Sequence, residues 1–144
     1  MRMRLHLHAL LALSLALSAA CASPGRHEPA GYEPRAADDQ EGLASWYGAP
    51  FHGRTTASGI PFDRHAMVAA HPTLPFGTRV RVHRLVTGAT VEVEIVDRGP
   101  AAGPRRAGVV IDLSEGAAER LGFIREGRTR VRIEVLPAAE PAGD

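Results

Sequence analysis

The sequence predicts an all-β domain in the main, a small barrel of about six strands with one short helix. Three observations predict it. Short runs that alternate apolar and polar residues, as half-buried strands do, recur from Leu43 to Leu136. One stretch alone, Ser114 to Gly122, carries helix start and stop signals. No strand–helix alternation of the kind that builds a doubly wound parallel sheet is present.

Leu43 to Tyr47 and Met67 to Ala70 are short strand candidates. Arg79 to Leu85 and Thr90 to Val96 alternate cleanly, and Thr87-Gly88 between them reads as a hairpin turn. Val80, Val82, Val91, Val93 and Ile95 then share one face, while Arg79 and Arg81 oppose Glu92 and Glu94 across the pair. These charges read as a solvated face. Val109 to Ile111 is short and wholly apolar, as a buried strand would be. Ser114 then caps a helix over Glu115 to Leu121. Glu115 suits the positive helix start, and Gly122 stands where a left-handed cap belongs. Thr129 to Leu136 alternates again with Val131, Ile133 and Val135 inward, closing the domain. Phe62 and Phe76 are expected in the core.

The chain ends differ in character. Arg2 and Arg4 precede an apolar run from Leu5 to Leu17 and the small residues Ser18 to Ala20, the build of a secretory signal, too short to span a membrane. Cys21 is the only cysteine, so no internal disulfide is possible. Placed directly after small residues, it resembles the lipidated cysteine of bacterial lipoproteins, and Ala22 after it points to the outer membrane. Ordinary secretion with a free Cys21 is the alternative. The expected organisation is a signal peptide over 1–20, lipidated Cys21 and a flexible tether to residue 41, one domain over 42–137, and a disordered tail over 138–144.

All 17 basic side chains are arginine. From Gly42 to Pro137 the arginines outnumber the acids by 13 to 9, a mild excess of +4 that suits an anionic polymer. It falls far short of the dense basic stripe of a nucleic-acid binder, and secretion argues against that partner independently.

Thr90 to Pro100, read TVEVEIVDRGP, delivers one acid, Asp97, from a strand into a turn that Arg98-Gly99-Pro100 forces. A carboxylate at a sheet rim beside a cation and a rigid turn is a common place for a reactive acid. Parity sets Asp97 with Val93 and Ile95, toward the barrel mouth. No Gly-x-Ser-x-Gly word, His-Glu-x-x-His word or glycine-rich phosphate loop occurs, so nucleophile, metal and nucleotide readings lack support and no cofactor is expected.

Seven words occur in order: GLASWYG at 42–48, FHGRxTASG at 51–59 with position 55 left open, FD at 62–63, AAH at 69–71, LPFGT at 74–78, DRGP at 97–100 and IDLS at 111–114. Together they resemble the rare lipoprotein A family of septal-ring, endolytic peptidoglycan transglycosylases, over essentially all of Gly42 to Leu136. The resemblance implies a six-stranded double-psi β-barrel. It also implies cleavage of peptidoglycan glycan strands without water, leaving 1,6-anhydro-muramoyl ends, with Asp97 and His71 as the catalytic pair. Many members carry a C-terminal repeat domain, and none is expected in this chain.

In that reading Asp97 is the recycled acid and base, and His71, biased toward extended backbone by Pro72, orients it or binds saccharide. Trp46 and Tyr47 offer ring faces to sugars, Arg54 and Arg98 pair with carboxylates, and Asp63 and Asp112 are further acids near the substrate. A loop histidine and two turn-capping acids are the plainer alternatives. Peptidoglycan strands and, through the N-terminal lipid, the membrane are the expected partners. Divisome or envelope proteins are further candidates, and the domain is expected to be a monomer facing the periplasm. Two positions depart from the family: Ile60 stands where active members often place an acid, and Val96 where a polar residue is common. Ile60 motivates one rival, a non-catalytic, expansin-like glycan-binding barrel, and the wide sharing of this barrel type leaves a weaker third reading, a structural or protease-inhibitor module.

Overall fold

The computed structural model describes residues 39–138. Six strands, β1 (Gln40–Tyr47), β2 (Val68–Ala70), β3 (Arg79–Arg84), β4 (Thr90–Asp97), β5 (Val109–Ser114) and β6 (Thr129–Val135), close into a barrel in the order β1-β5-β2-β4-β3-β6. Closure leaves no open sheet edge, the usual liability of a small β domain. The pairs β1–β5 and β2–β4 are parallel, and the other four are antiparallel. Strands far apart in sequence are thus joined side by side, as a double-psi barrel requires.

The core follows from the alternation. Val80 and Val82 on β3, Val91, Val93 and Ile95 on β4, Ile111 and Leu113 on β5, and Val131 and Ile133 on β6 all turn inward and are buried. Phe123 and Leu121 are buried in the same cluster. On the outer face Arg79 and Arg81 meet Glu92 at 2.6 and 2.8 Å, and Arg81 reaches Glu134 at 3.4 Å. That face is the one the sequence predicts, except that among the described residues Glu134, and not Glu94, joins Glu92 in the ion pairs.

Helix α2 (Glu115–Leu121) begins where Ser114 accepts the Ala117 N–H at 3.2 Å and ends at Gly122 with φ 75°. Seven residues are too few for a helix to stand alone in water. It is held by burying Ala117, Ala118 and Leu121.

The structure corrects several expectations. β1 starts at Gln40 instead of Leu43, because Gln40 and Glu41 pair with Ile133 and Arg132 of β6. The Asp39 carboxylate also accepts the Val135 N–H at 3.2 Å. The ladder of a closed barrel therefore recruits polar residues whose own propensity for strand is low. A second helix, α1 (Ala102–Arg106), was not expected. Phe76 is 41% exposed, outside the core. The expected signal, Cys21, most of the tether and all but Ala138 of the tail lie outside the described residues.

Ile111 is fully buried at the centre of the core. Ile111→Ala should lower stability by about 2–5 kcal/mol in urea denaturation, with the circular dichroism of the folded state retained.

Candidate active site

Asp97 ends β4, and the chain leaves the sheet at once. Strict alternation would carry Asp97 inward with Val93 and Ile95. The β2–β4 register slips instead: Ala69 faces Ile95 and Ala70 faces Asp97, with Val96 between them unmatched. Such a bulge re-aims whatever follows it. Ile95 and Val96 are consequently both buried, and Asp97 comes out half-buried on the wall of a surface pocket. This corrects the parity reading; the expected rim position holds.

The pocket, about 190 Å³, is lined by Tyr47, Phe51, Arg54, Thr55, Phe62 and Asp97. The Asp97 Oδ1 atom accepts two main-chain N–H bonds, from Ala57 at 2.9 Å and Arg98 at 2.8 Å. Both fall on one oxygen, and together they fix the orientation of the carboxyl group. Oδ2 has no hydrogen-bond partner among the described residues.

The aromatic walls hold one another. Tyr47 stacks on Phe62 at 4.2 Å and meets Phe51 edge-on at 5.7 Å, while the Arg54 guanidinium lies 5.4 Å from the Phe51 ring. Such rings present flat apolar faces to the C–H faces of sugars. The Tyr47 hydroxyl is buried without a partner among the described residues. Burial, then the charges of Asp97 and Asp112, push its pKa far above the ordinary phenol range, so it stays protonated.

Asp112 sits on β5 opposite Ser45 of β1 on one side and Ala70 of β2 on the other. Since Ala70 also faces Asp97, the two acids flank β2. The Ser45 hydroxyl donates to Asp112 Oδ1. Burial raises the Asp112 pKa, with the Ser45 bond and the Arg128 charge opposing. A Cβ on Gly99 would lie 3.1 Å from Asp112 Oδ2 and 3.2 Å from the Ala70 Cβ, a fit tight enough to explain glycine in this turn.

His71 differs from its expected role. Its ring is buried, 1% exposed, rather than set at a groove edge. Nδ1 accepts the N–H groups of Thr73 at 3.2 Å and Leu74 at 3.0 Å, which puts the ring proton on Nε2, 3.4 Å from Gln40 Oε1. Burial, helped by the Arg98 charge, lowers its pKa to about 4, so the ring is neutral at pH 7. Among the described residues it meets Asp97 only through the main chain, His71 N–H to Asp97 C=O at 3.1 Å. Arg98 completes the clamp: Nη1 donates to the carbonyls of His71 at 3.2 Å and Leu74 at 2.9 Å, and the guanidinium lies 3.8 Å over the Phe76 ring. That stack is why Phe76 stays at the surface.

Of the other expected residues, Tyr47 and Arg54 line the pocket. Trp46 packs against the core instead. Asp63 is exposed, accepts the His65 N–H at 2.9 Å in its own turn, and is absent from the pocket wall. Sequence reasoning missed Gln40, Ser45, Thr55 and the Ala57 N–H. Gln40, Ser45 and the Ala57 N–H act through partners 31 or more residues away, and Thr55 enters only as part of the pocket wall; no local pattern announces either kind.

Fold and site together define a small double-psi β-barrel domain with one acid on the wall of an aromatic, arginine-bearing pocket. The chain belongs to the lytic transglycolase family, whose sequence profile matches residues 39–133. A probable endolytic peptidoglycan transglycosylase RlpA of Synechocystis is 52% identical over 95 residues, 66% of this chain and 28% of that protein. The endolytic peptidoglycan transglycosylase RlpA of Neisseria meningitidis is 45% identical over 103 residues, 72% of this chain and 41% of that one. The chain thus spans well under half the length of these curated relatives. Among solved structures, a Clavibacter michiganensis expansin superimposes with a TM-score of 0.54 at 25% identity, over 73% of this chain and 52% of the expansin. The Streptomyces papain inhibitor gives the same TM-score of 0.54 at 23% identity, over 68% of this chain and 94% of the inhibitor. That likeness speaks for the fold alone.

Two outcomes follow from these surroundings. His71 titrates near 6.5 when unfolded and near 4 in the fold. Between those values the unfolded chain binds more protons, so the stability that neutral His71 contributes is present above about pH 6.5 and is lost as the pH falls toward 4, to a total of about 3 kcal/mol. Asp112, with its raised pKa, contributes in the opposite sense, so the comparison must be with His71→Gln, whose stability should fall less steeply from pH 6.5 to 4 in urea titrations. Parallel slopes would contradict this. Tyr47→Phe removes an unpaired buried hydroxyl and should leave thermal stability equal or raise it by about 0.5–1 kcal/mol.

Proposed function

We propose that this domain is an endolytic lytic transglycosylase that cleaves the glycan strands of peptidoglycan and leaves 1,6-anhydro-muramoyl ends. The observation that carries the reading is Asp97, set on an aromatic pocket wall with one carboxyl oxygen fixed by two N–H groups and the other without a hydrogen-bond partner among the described residues. Breaking a glycosidic bond needs an acid for the leaving oxygen and a counterweight to an oxocarbenium-like transition state. Protonated Asp97 gives the Oδ2 proton to the leaving oxygen as the bond to the anomeric carbon breaks. The resulting carboxylate then takes the proton of the muramoyl C6 hydroxyl as that oxygen attacks the anomeric carbon. The acid is regenerated, no water is consumed, and one carboxyl group suffices.

In this scheme His71 is a positioning residue: its neutral ring holds the 71–74 loop, which with Arg98 fixes the main chain around Asp97. Tyr47, Phe51 and Phe62 offer stacking faces, and Arg54 and Arg98 complement acidic groups on the strand. The relatives named as endolytic peptidoglycan transglycosylases support the substrate class. A signal over Met1–Ala20 and lipid on Cys21 would hold the domain in the cell envelope, at the outer membrane, within reach of the sacculus, acting as a monomer with divisome or envelope proteins as candidate partners.

A second reading, a glycan-binding barrel without catalysis, is favoured by Ile60. It is 48% exposed in the loop that supplies the Ala57 N–H to Asp97, where active relatives are expected to place an acid. Asp97 is also the one carboxylate on the pocket wall among the described residues.

Digestion of purified sacculi by the mature protein, followed by mass spectrometry, separates the two. Anhydro-muropeptides should appear, and Asp97→Asn should lower their yield at least about 100-fold. Binding to sacculi with no anhydro ends would leave the second reading standing, and a gain of cleavage in Ile60→Glu would then identify a disarmed enzyme.

A further inference from the structure

The residue after Asp97 opens a second cleft, about 270 Å³, lined by Pro72, Arg98, Gly99, Pro100, Ala101 and Arg105. Its walls are stiff, because both prolines fix their φ angles. Its charge is stiff as well. Nη1 of Arg98 is engaged by the His71 and Leu74 carbonyls and the guanidinium face by Phe76. The remaining N–H groups of Arg98 have no partner among the described residues. A guanidinium held this way loses little freedom when it takes up an anion, and its forked donors fit a carboxylate.

Arg105 comes from α1, and α1 is not explained by the core. None of its residues is buried. What the helix does is bring a second guanidinium to the cleft. Elsewhere on the barrel Arg64, Arg79, Arg81 and Arg84 are each paired with a glutamate. Among the described residues no carboxylate comes within 4.0 Å of the Arg98 or Arg105 guanidinium. Other exposed arginines also lack such partners; these two share one concave, proline-walled site beside the candidate acid.

We propose that this cleft is a carboxylate-binding subsite that reads the acidic substituent of the glycan whose sugar backbone lies in the Asp97 pocket. The inference rests on the reading of that pocket as a glycan site. Two groups on peptidoglycan supply the chemistry: the lactyl carboxylate of a muramoyl residue without its peptide, and the carboxylates of the stem peptide.

The test is binding, so that it stands apart from cleavage. Dissociation constants of the mature protein, Arg105→Gln and Arg105→Lys are measured against three strand preparations. One is free of peptide, one bears peptides, and one is free of peptide with its carboxylates converted to neutral methylamides. Arg105→Gln should bind the acidic strands about tenfold more weakly, as expected for one charge-assisted contact, and bind the amidated strands as the wild type does. Arg105→Lys should recover part of the loss. An effect on peptide-free strands assigns the lactyl group, and an effect confined to peptide-bearing strands assigns the stem peptide. The subsite is refuted if Arg105→Gln binds acidic strands normally, or if it loses as much affinity for the amidated ones. A wild type that binds through carboxylates yet yields no anhydro ends would keep the subsite and lose the catalytic reading.

Discussion

The parallel pairing of β2 with β4, and the single-residue slip within it, is the constraint on which the rest of the site depends. Three residues of β2 face β4, and the slip at Ala69–Ala70 lets Val96 drop into the interior. Asp97 then leaves the sheet on the pocket side, His71 starts its loop directly beside it, and Arg98 lands where it can take two carbonyls of that loop. A regular ladder would have buried Asp97 among valines, where an ionised carboxylate is costly. The bulge thus turns an ordinary strand end into a rim carboxyl with one oxygen fixed and one free.

Arg98 works on two fronts. Its Nη1 bonds close the His71–Leu74 loop, whose own carbonyls would otherwise lack partners, and its charge helps keep the His71 ring neutral. Loop, ring and guanidinium form a unit in which polar groups satisfy one another, the condition under which a buried polar network rigidifies a site. The same guanidinium, pinned against Phe76, borders the cleft to which α1 adds Arg105. A residue that reads in the sequence as a cation beside Asp97, able to pair with carboxylates, is also, in the fold, a structural tie with a free edge.

The two acids flanking β2 differ in their surroundings. Asp97 faces an open pocket and main-chain N–H donors, whereas Asp112 faces Ser45 and the close-packed Gly99 turn. Tyr47 lies within reach of both charges yet bonds to neither, so the centre of the site carries a protonated phenol beside two carboxyl groups. Unpaired buried groups are rare because they cost stability, and they gather where a protein does something besides fold.

By itself the sequence determined the inventory and most of the secondary structure. Alternation placed the valines of β3 and β4 inward, Ser114 and Gly122 bounded α2, and Asp97 stood out as a rim acid, because these signals span only a few residues and follow from backbone periodicity and capping. The ordered words supplied the double-psi topology, which local pattern cannot give: β1 pairs with β5 across more than 60 residues, and nothing near Ser45 announces Asp112. What only the tertiary structure decided is how the pieces face one another. Barrel closure drew Gln40 into β1 and against His71, the bulge overrode parity at Asp97, and stacking on Arg98 kept Phe76 at the surface. Each depends on contacts between distant segments, whose energies enter only once the chain has closed on itself.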